Sequence, residues 1–158
     1  MIRKPALSIA LLLLAILGLT WTLLAEPVKQ LKPTGYVNDF AGALDAGSAQ
    51  RIAQISAQID QKTKAQIAVV TVHSLDGSDI ESYAVDLYKQ WGIGAKSTNR
   101  GVLILLAVND HRYRVEVGYG LEPILPDGKV GGFGREAVPY LRQNQYGPAL
   151  ELLTHRVA

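Results

Sequence analysis

The sequence predicts an α/β fold: a three-layer sandwich with a small mixed, mostly parallel sheet, built from a βαβ unit plus a β-hairpin and flanked by helices. Two unbroken apolar runs, residues 66–72 and 101–108, lie on either side of one amphipathic helical pattern. Such runs are typical of parallel strands that are covered on both faces. A third run, residues 113–117, alternates polar and apolar side chains, as expected of an antiparallel strand with one exposed face.

The first helix is predicted over residues 46–62, because apolar side chains recur there at three- and four-residue steps and so form one stripe along a helix. Asp45 precedes this pattern and stands where an N-cap acceptor is needed. The stripe consists of Ala49, Ile52, Ile55 and Ile59.

A second helix is predicted over residues 80–91. Ser78 and Glu81 have the spacing of a capping box, and Gly92 ends the apolar pattern. This helix joins the two apolar runs, so that strand, helix and strand form a right-handed βαβ unit with parallel neighbours. Turn-forming side chains at residues 109–111 then return the chain as a hairpin.

Two further helices are predicted near the C-terminus. The first covers residues 127–142 and has Asp127 as its cap, although three glycines and Pro139 lower its intrinsic helix propensity. The second covers residues 146–157.

The N-terminus has the pattern of an export signal. Arg3 and Lys4 precede an uncharged apolar stretch, residues 5–25. This stretch is close to the roughly 20 residues that a membrane-spanning helix needs, so both cleavage before Glu26 and retention as an anchor are open. The chain is therefore divided into a signal peptide or signal anchor (1–25), a tether (26–35) and one domain (36–158). The domain is expected outside the cytoplasm, in the periplasm or anchored to the membrane.

Composition excludes several classes of function. The chain has 16 lysines and arginines against 14 aspartates and glutamates, and two of the cations lie in the leader, so the remainder is neutral. A nucleic-acid partner is therefore not expected. The absence of cysteine excludes disulfides, thiolate metal sites and cysteine nucleophiles. Neither a dinucleotide-binding glycine motif nor a P-loop occurs, and no nucleotide or organic cofactor is expected.

Oxygen-bearing side chains at the ends of the predicted strands suggest a site for a hard cation, Ca²⁺ or Mg²⁺. Glu116 and Glu122 flank a Gly-Tyr-Gly segment in which glycines let the backbone fold back and present carbonyl oxygens. Asn99 precedes the second strand and is predicted at the same sheet edge. The candidate ligands are Asp39, Asn99, Glu116, Glu122 and Asp127.

Four of the five candidates also have an ordinary structural role open to them. Glu116 would lie on the exposed face of an alternating strand, and Asp127 would cap a helix. Asn99 would be a turn residue, and Asp39 would fix an Asx turn. Three arginines at positions 100, 112 and 114 either hold an anion beside the ion or are solvated on an exposed strand face.

Five segments, in this order and spacing, resemble the TPM domain, a family found in thylakoid-lumen proteins of photosystem II repair, animal membrane accessory proteins and exported bacterial proteins. The resemblance covers about residues 35–153. The segments are residues 38–42 (NDFAG), 65–72 (AQIAVVTV), 91–94 (WGIG), 99–106 (NRGVLILL) and 115–122 (VEVGYGLE).

The resemblance implies two functions. In the first, an exported, membrane-associated domain binds a divalent cation and serves as an interaction or maintenance module, with membrane proteins or a membrane-associated complex as partners. In the second, the protein is a metal-assisted acid phosphatase, the activity assigned to plant thylakoid members. The ion would then polarise phosphoryl oxygens while Glu116 or Asp127 activates water.

Overall fold

Within residues 27–158, the part of the chain that the computed structural model describes, four strands form one open sheet in the order β1-β2-β3-β4. The first three strands are parallel, and β4 is antiparallel to β3. This is the mixed, mostly parallel sheet that the sequence predicts, extended by one edge strand. The strands are β1 (Val37–Asp39), β2 (Gln66–Val72), β3 (Gly101–Ala107) and β4 (Arg112–Val117).

Helices cover both faces of this sheet and complete the predicted three layers. One face packs against α1, α3 and α4, and the other packs against α2. A short 3-10 turn, Val28–Gln30, precedes β1. The helices are α1 (Ala46–Thr63), α2 (Ile80–Trp91), α3 (Asp127–Arg142) and α4 (Tyr146–Val157).

Burial explains why β3 is apolar without interruption: every residue from Gly101 to Ala107 is buried. Side chains alternate between the two faces of a strand. Val102, Ile104 and Leu106 accordingly belong to the core beneath α1, α3 and α4. Leu103, Leu105 and Ala107 belong to the core beneath α2.

The helix caps confirm one prediction and correct two. The Asp45 carboxylate accepts a hydrogen bond from the Ser48 amide at 2.9 Å, as an N-cap should. At α2 the cap is Asp79 and not Ser78, because the Asp79 carboxylate accepts from the Ser82 amide. At α3 the N-cap is Pro126, whose backbone is extended, and Asp127 is the first helical residue. Its negative charge in the first turn complements the helix dipole instead.

Strand β1 was not predicted. It is only three residues long and pairs with β2 through Val37 opposite Val69 and Asp39 opposite Thr71. The buried Asn38 side chain fixes the approach to the strand: its oxygen accepts from the Thr34 amide at 2.7 Å, and its amide group donates to a carbonyl at 2.9 Å. A three-residue strand is too short to show periodicity, so its position depends on these local side-chain bonds and on its pairing with β2.

The described part of the predicted tether contacts the domain. Leu31 is buried, and its carbonyl oxygen accepts hydrogen bonds from Trp91 Nε1 and Gln90 Nε2, each at 3.2 Å. The predicted leader, residues 1–25, lies outside the described residues, which begin at residue 27. From residue 27 onward, no helix is both long enough and apolar enough to cross a membrane.

Candidate functional site

Two loops meet at the edge of the sheet where β3 begins and β4 ends. One joins α2 to β3 (residues 92–100), the other joins β4 to α3 (residues 118–126), and together they are called the paired loops. The Gly118 amide donates to the Gly101 carbonyl at 2.8 Å, and the Gly120 amide donates to the Asn99 carbonyl at 3.1 Å. These bonds extend the β3–β4 ladder into the paired loops and hold them against each other.

Glycine is required where the paired loops touch. A Cβ atom at Gly118 would lie 2.1 Å from the Tyr88 hydroxyl oxygen and 2.2 Å from the Asn99 carbonyl oxygen. A Cβ atom at Gly120 would lie 2.1 Å from the Thr98 carbonyl oxygen. Real Cβ atoms do not approach oxygen so closely, so any larger residue would separate the loops. The Gly-Tyr-Gly segment thus lets two backbones pack together.

The structure places two of the five predicted ligands on the paired loops. Asn99 has a left-handed backbone, with φ of 48°, and its side chain is exposed. Glu122 is also exposed. Glu116 lies nearby on β4, opposite Leu103, but its carboxylate accepts from the Arg114 guanidinium at 3.1 and 3.2 Å.

Asp39 lies at the opposite edge of the sheet. Its carboxylate accepts from the Ala43 amide at 2.8 Å, from the Leu44 amide at 3.0 Å and from the Thr71 hydroxyl. These bonds close the turn that follows β1. The fold therefore separates Asp39 from the paired loops: β1 runs parallel to β2 and β3 whereas β4 runs antiparallel to them, so β1 and β4 end at opposite edges of the sheet.

Asp127 occupies a third place. It lines a groove beside β4 together with Glu81 and Arg114. Across residues 27–158, no group of three or more histidine, aspartate or glutamate side chains is arranged to hold a metal ion. An ion at the paired loops would thus depend on carbonyl and amide oxygens as well as on carboxylates.

A further oxygen at the paired loops was not predicted as functional. Tyr88 is 9% exposed, and its hydroxyl oxygen is buried without a hydrogen-bond partner among the described residues. Burial raises the pKa of Tyr88, the Glu116 charge raises it further, and the Gly101 amide opposes the rise without reaching hydrogen-bonding geometry. In the sequence, Tyr88 belongs to the apolar stripe of α2, so nothing distinguishes it from an ordinary core residue.

The second of the paired loops also carries the most exposed large apolar side chains in the described part of the chain. Tyr119 is 78% exposed and Ile124 is 59% exposed. Glu122 lies between them in sequence. Apolar side chains contribute little to folding in such exposed positions, so both are available to contact a partner.

These features define a small α/β domain with helices on both faces of a mixed sheet and, at one edge, the hydrogen-bonded paired loops with their glycines. A model of the TPM domain family matches residues 37–158. The chain belongs to this family.

Three solved structures are similar to this one. The N-terminal domain of a protein from P. gingivalis is 28% identical, with a TM-score of 0.78, over 85% of this chain and 90% of that one. The N-terminal domain of the cg2496 protein from Corynebacterium glutamicum is 17% identical, with a TM-score of 0.64, over 80% and 79%. The BA42 protein from Bizionia argentinensis is 18% identical, with a TM-score of 0.62, over 72% and 78%. The last two show the fold alone. No curated protein matches the sequence.

Proposed function

We propose that this protein acts outside the cytoplasm as a membrane-associated interaction module, and that its paired loops bind Ca²⁺ or Mg²⁺ and contact a membrane protein or membrane-associated complex. The observation that carries the proposal is the exposure of Tyr119 and Ile124 on either side of Glu122. The glycines hold this surface in place before a partner arrives. Preorganisation of this kind lowers the entropic cost of binding.

Oxygen chemistry supports the cation. The exposed Asn99 and Glu122 side chains both lie on the paired loops and offer an amide oxygen and a carboxylate. Neutral oxygens with few carboxylates suit a weakly held hard cation. Of the five predicted ligands, Asn99 and Glu122 are therefore the principal ones in this proposal.

A titration of residues 26–158 with Ca²⁺ or Mg²⁺ tests the cation, since all the core residues identified lie between Leu31 and Val157. We expect saturable backbone amide shifts confined to residues 88, 98–101 and 116–124. The melting temperature should rise with them, because an ion at about 100 times its Kd stabilises the native state by about 2.7 kcal/mol. Absence of shifts at millimolar ion would refute the cation site.

Glu122→Gln should weaken ion binding while leaving the melting temperature of the ion-free protein unchanged, because this side chain is exposed. Asp76→Asn is the matched control: it also removes one exposed carboxylate, but it lies in the loop after β2, at the other edge of the sheet. Equal loss of affinity in both variants would indicate a general charge effect instead of a ligand.

The acid phosphatase ranks second. Glu116, one of the two residues assigned to activate water, already accepts two hydrogen bonds from Arg114, and Asp127 lies in a different groove. If the protein is an enzyme, it should hydrolyse an aryl phosphate at mildly acidic pH in an ion-dependent way, and Glu122→Gln should remove that turnover. Under the interaction proposal, the ion binds and no turnover appears.

A further inference from the structure

A cavity of about 450 Å³ lies at the end of the sheet opposite the paired loops, between the β3–β4 hairpin and the C-terminal end of α3. Ligand sites for small molecules typically have volumes of this order. The Tyr146 hydroxyl donates to the Asn144 side-chain oxygen at 2.9 Å and holds one rim of the cavity in place. Apolar and aromatic side chains form its floor: Leu106, Val108, Tyr113, Val138, Leu141 and Tyr146.

The rest of the lining is strongly one-sided in charge. Arg112, Arg142 and His111 contribute to the wall, and none of the lining residues is acidic. Arg112 and Arg142 make no ion pair or side-chain hydrogen bond within residues 27–158. Of the five other arginines in the described residues, three are paired with a glutamate, at positions 51, 114 and 156. The cavity thus combines an apolar floor with two guanidinium groups that lack an anion.

We propose that this cavity binds a small organic anion that has an apolar body and a carboxylate head. The body would fill the space above Leu106 and Leu141, and the head would pair with Arg112 and Arg142. A planar guanidinium donates two parallel hydrogen bonds to a carboxylate. The proposal is independent of the cation site, because none of the residues lining this cavity lies on the paired loops.

The test follows backbone amide shifts of the full chain, purified in a mild detergent, during titration with 3-phenylpropionate. We expect saturable shifts at residues 106–113 and 138–146. The neutral isostere 3-phenylpropanamide should bind at least about tenfold more weakly, because it cannot form charge-assisted hydrogen bonds. Inorganic phosphate, which has no apolar body, should not displace 3-phenylpropionate at equal concentration.

Arg112→Gln and Arg142→Gln should each weaken binding of 3-phenylpropionate by roughly tenfold and leave binding of 3-phenylpropanamide unchanged. Both side chains are exposed, so the variants should fold. Lys62→Gln, which removes one exposed cation from the C-terminal turn of α1, is the charge-matched control and should have no effect. Equal binding of acid and amide, displacement by phosphate, shifts outside the cavity, or an equal effect of Lys62→Gln would each overturn the proposal.

Discussion

Gly118→Ala should lower the free energy of unfolding by about 3 kcal/mol or more, at the upper end of what overpacking costs. The new methyl group would lie 2.1 Å from the Tyr88 hydroxyl oxygen and 2.2 Å from the Asn99 carbonyl oxygen. Neither the backbone carbonyl nor the strand can move freely, since the Gly118 amide is bonded to the Gly101 carbonyl. Urea denaturation followed by circular dichroism measures the change.

Gly128→Ala is the control for this substitution. Gly128 is exposed in the first turn of α3, and a Cβ atom there has nothing within 4 Å. Replacing glycine by alanine in a helix is favourable by roughly 0.5–1 kcal/mol. We therefore expect the two Gly→Ala variants to change stability in opposite directions.

Tyr88→Phe separates the two contacts of the new methyl group. Alone it should be nearly neutral, because the hydroxyl it removes is buried and has no hydrogen-bond partner in the described part of the chain. Combined with Gly118→Ala it should recover only part of the loss, because the Asn99 carbonyl stays in place. Complete recovery, or a loss below about 1 kcal/mol for Gly118→Ala alone, would contradict the conclusion that the paired loops require close backbone approach.

The sequence predicts those parts of the fold whose burial follows a regular pattern along the chain. Strand β3 is buried on both faces and α2 on one, so each has a regular apolar pattern. Strand β1 has only three residues, which is too few for such a pattern. It is the outer strand of the sheet, and the side-chain bonds of Asn38 hold the chain that leads into it. The apolar pattern also does not predict that Asp79 and not Ser78 caps α2, since both are adjacent acceptors before the same helix.

The candidate site was predictable to the extent that chain topology determines it. A β-hairpin returns to the edge from which it started, so Asn99 and Gly118 had to meet. The location of Asp39 depends on β1, which the sequence does not reveal, and the fold places it at the other edge. The buried Tyr88 hydroxyl could not be predicted either, because its lack of a partner is a property of the packed structure.

Asp39→Ala should cost roughly 3 kcal/mol, because it removes the acceptor of three hydrogen bonds at once: a buried donor left unpaired costs about 1–3 kcal/mol, and a half-buried donor costs less. The donors are the amides of Ala43 and Leu44 and the hydroxyl of the fully buried Thr71. Asp39→Asn keeps one acceptor oxygen and should cost less. Denaturant unfolding without divalent ions measures the free energy of unfolding of the parent protein, Asp39→Ala and Asp39→Asn.

Asp45→Ala gives a reference value with which the destabilisation by Asp39→Ala can be compared. Asp45 is exposed, and among residues 27–158 its side chain accepts only from Ser48, through the amide and the hydroxyl, so its loss should cost the roughly 1 kcal/mol typical of an N-cap. Thr71→Val tests whether the Asp39 bonds act as one unit, because it removes the hydroxyl with little change of volume. The double variant Asp39→Ala, Thr71→Val should then be less destabilised than the sum of the single variants.

The same variants decide which of two roles Asp39 has. If its carboxylate closes the turn after β1, Asp39→Ala loses stability without ion, and the shifts of the paired loops on Ca²⁺ addition persist in the molecules that remain folded. If Asp39 is instead an ion ligand, its removal should leave the ion-free protein within about 1 kcal/mol of the parent, as for residues without a structural role, and abolish the Ca²⁺ response. The three donors that already occupy the carboxylate favour the first outcome.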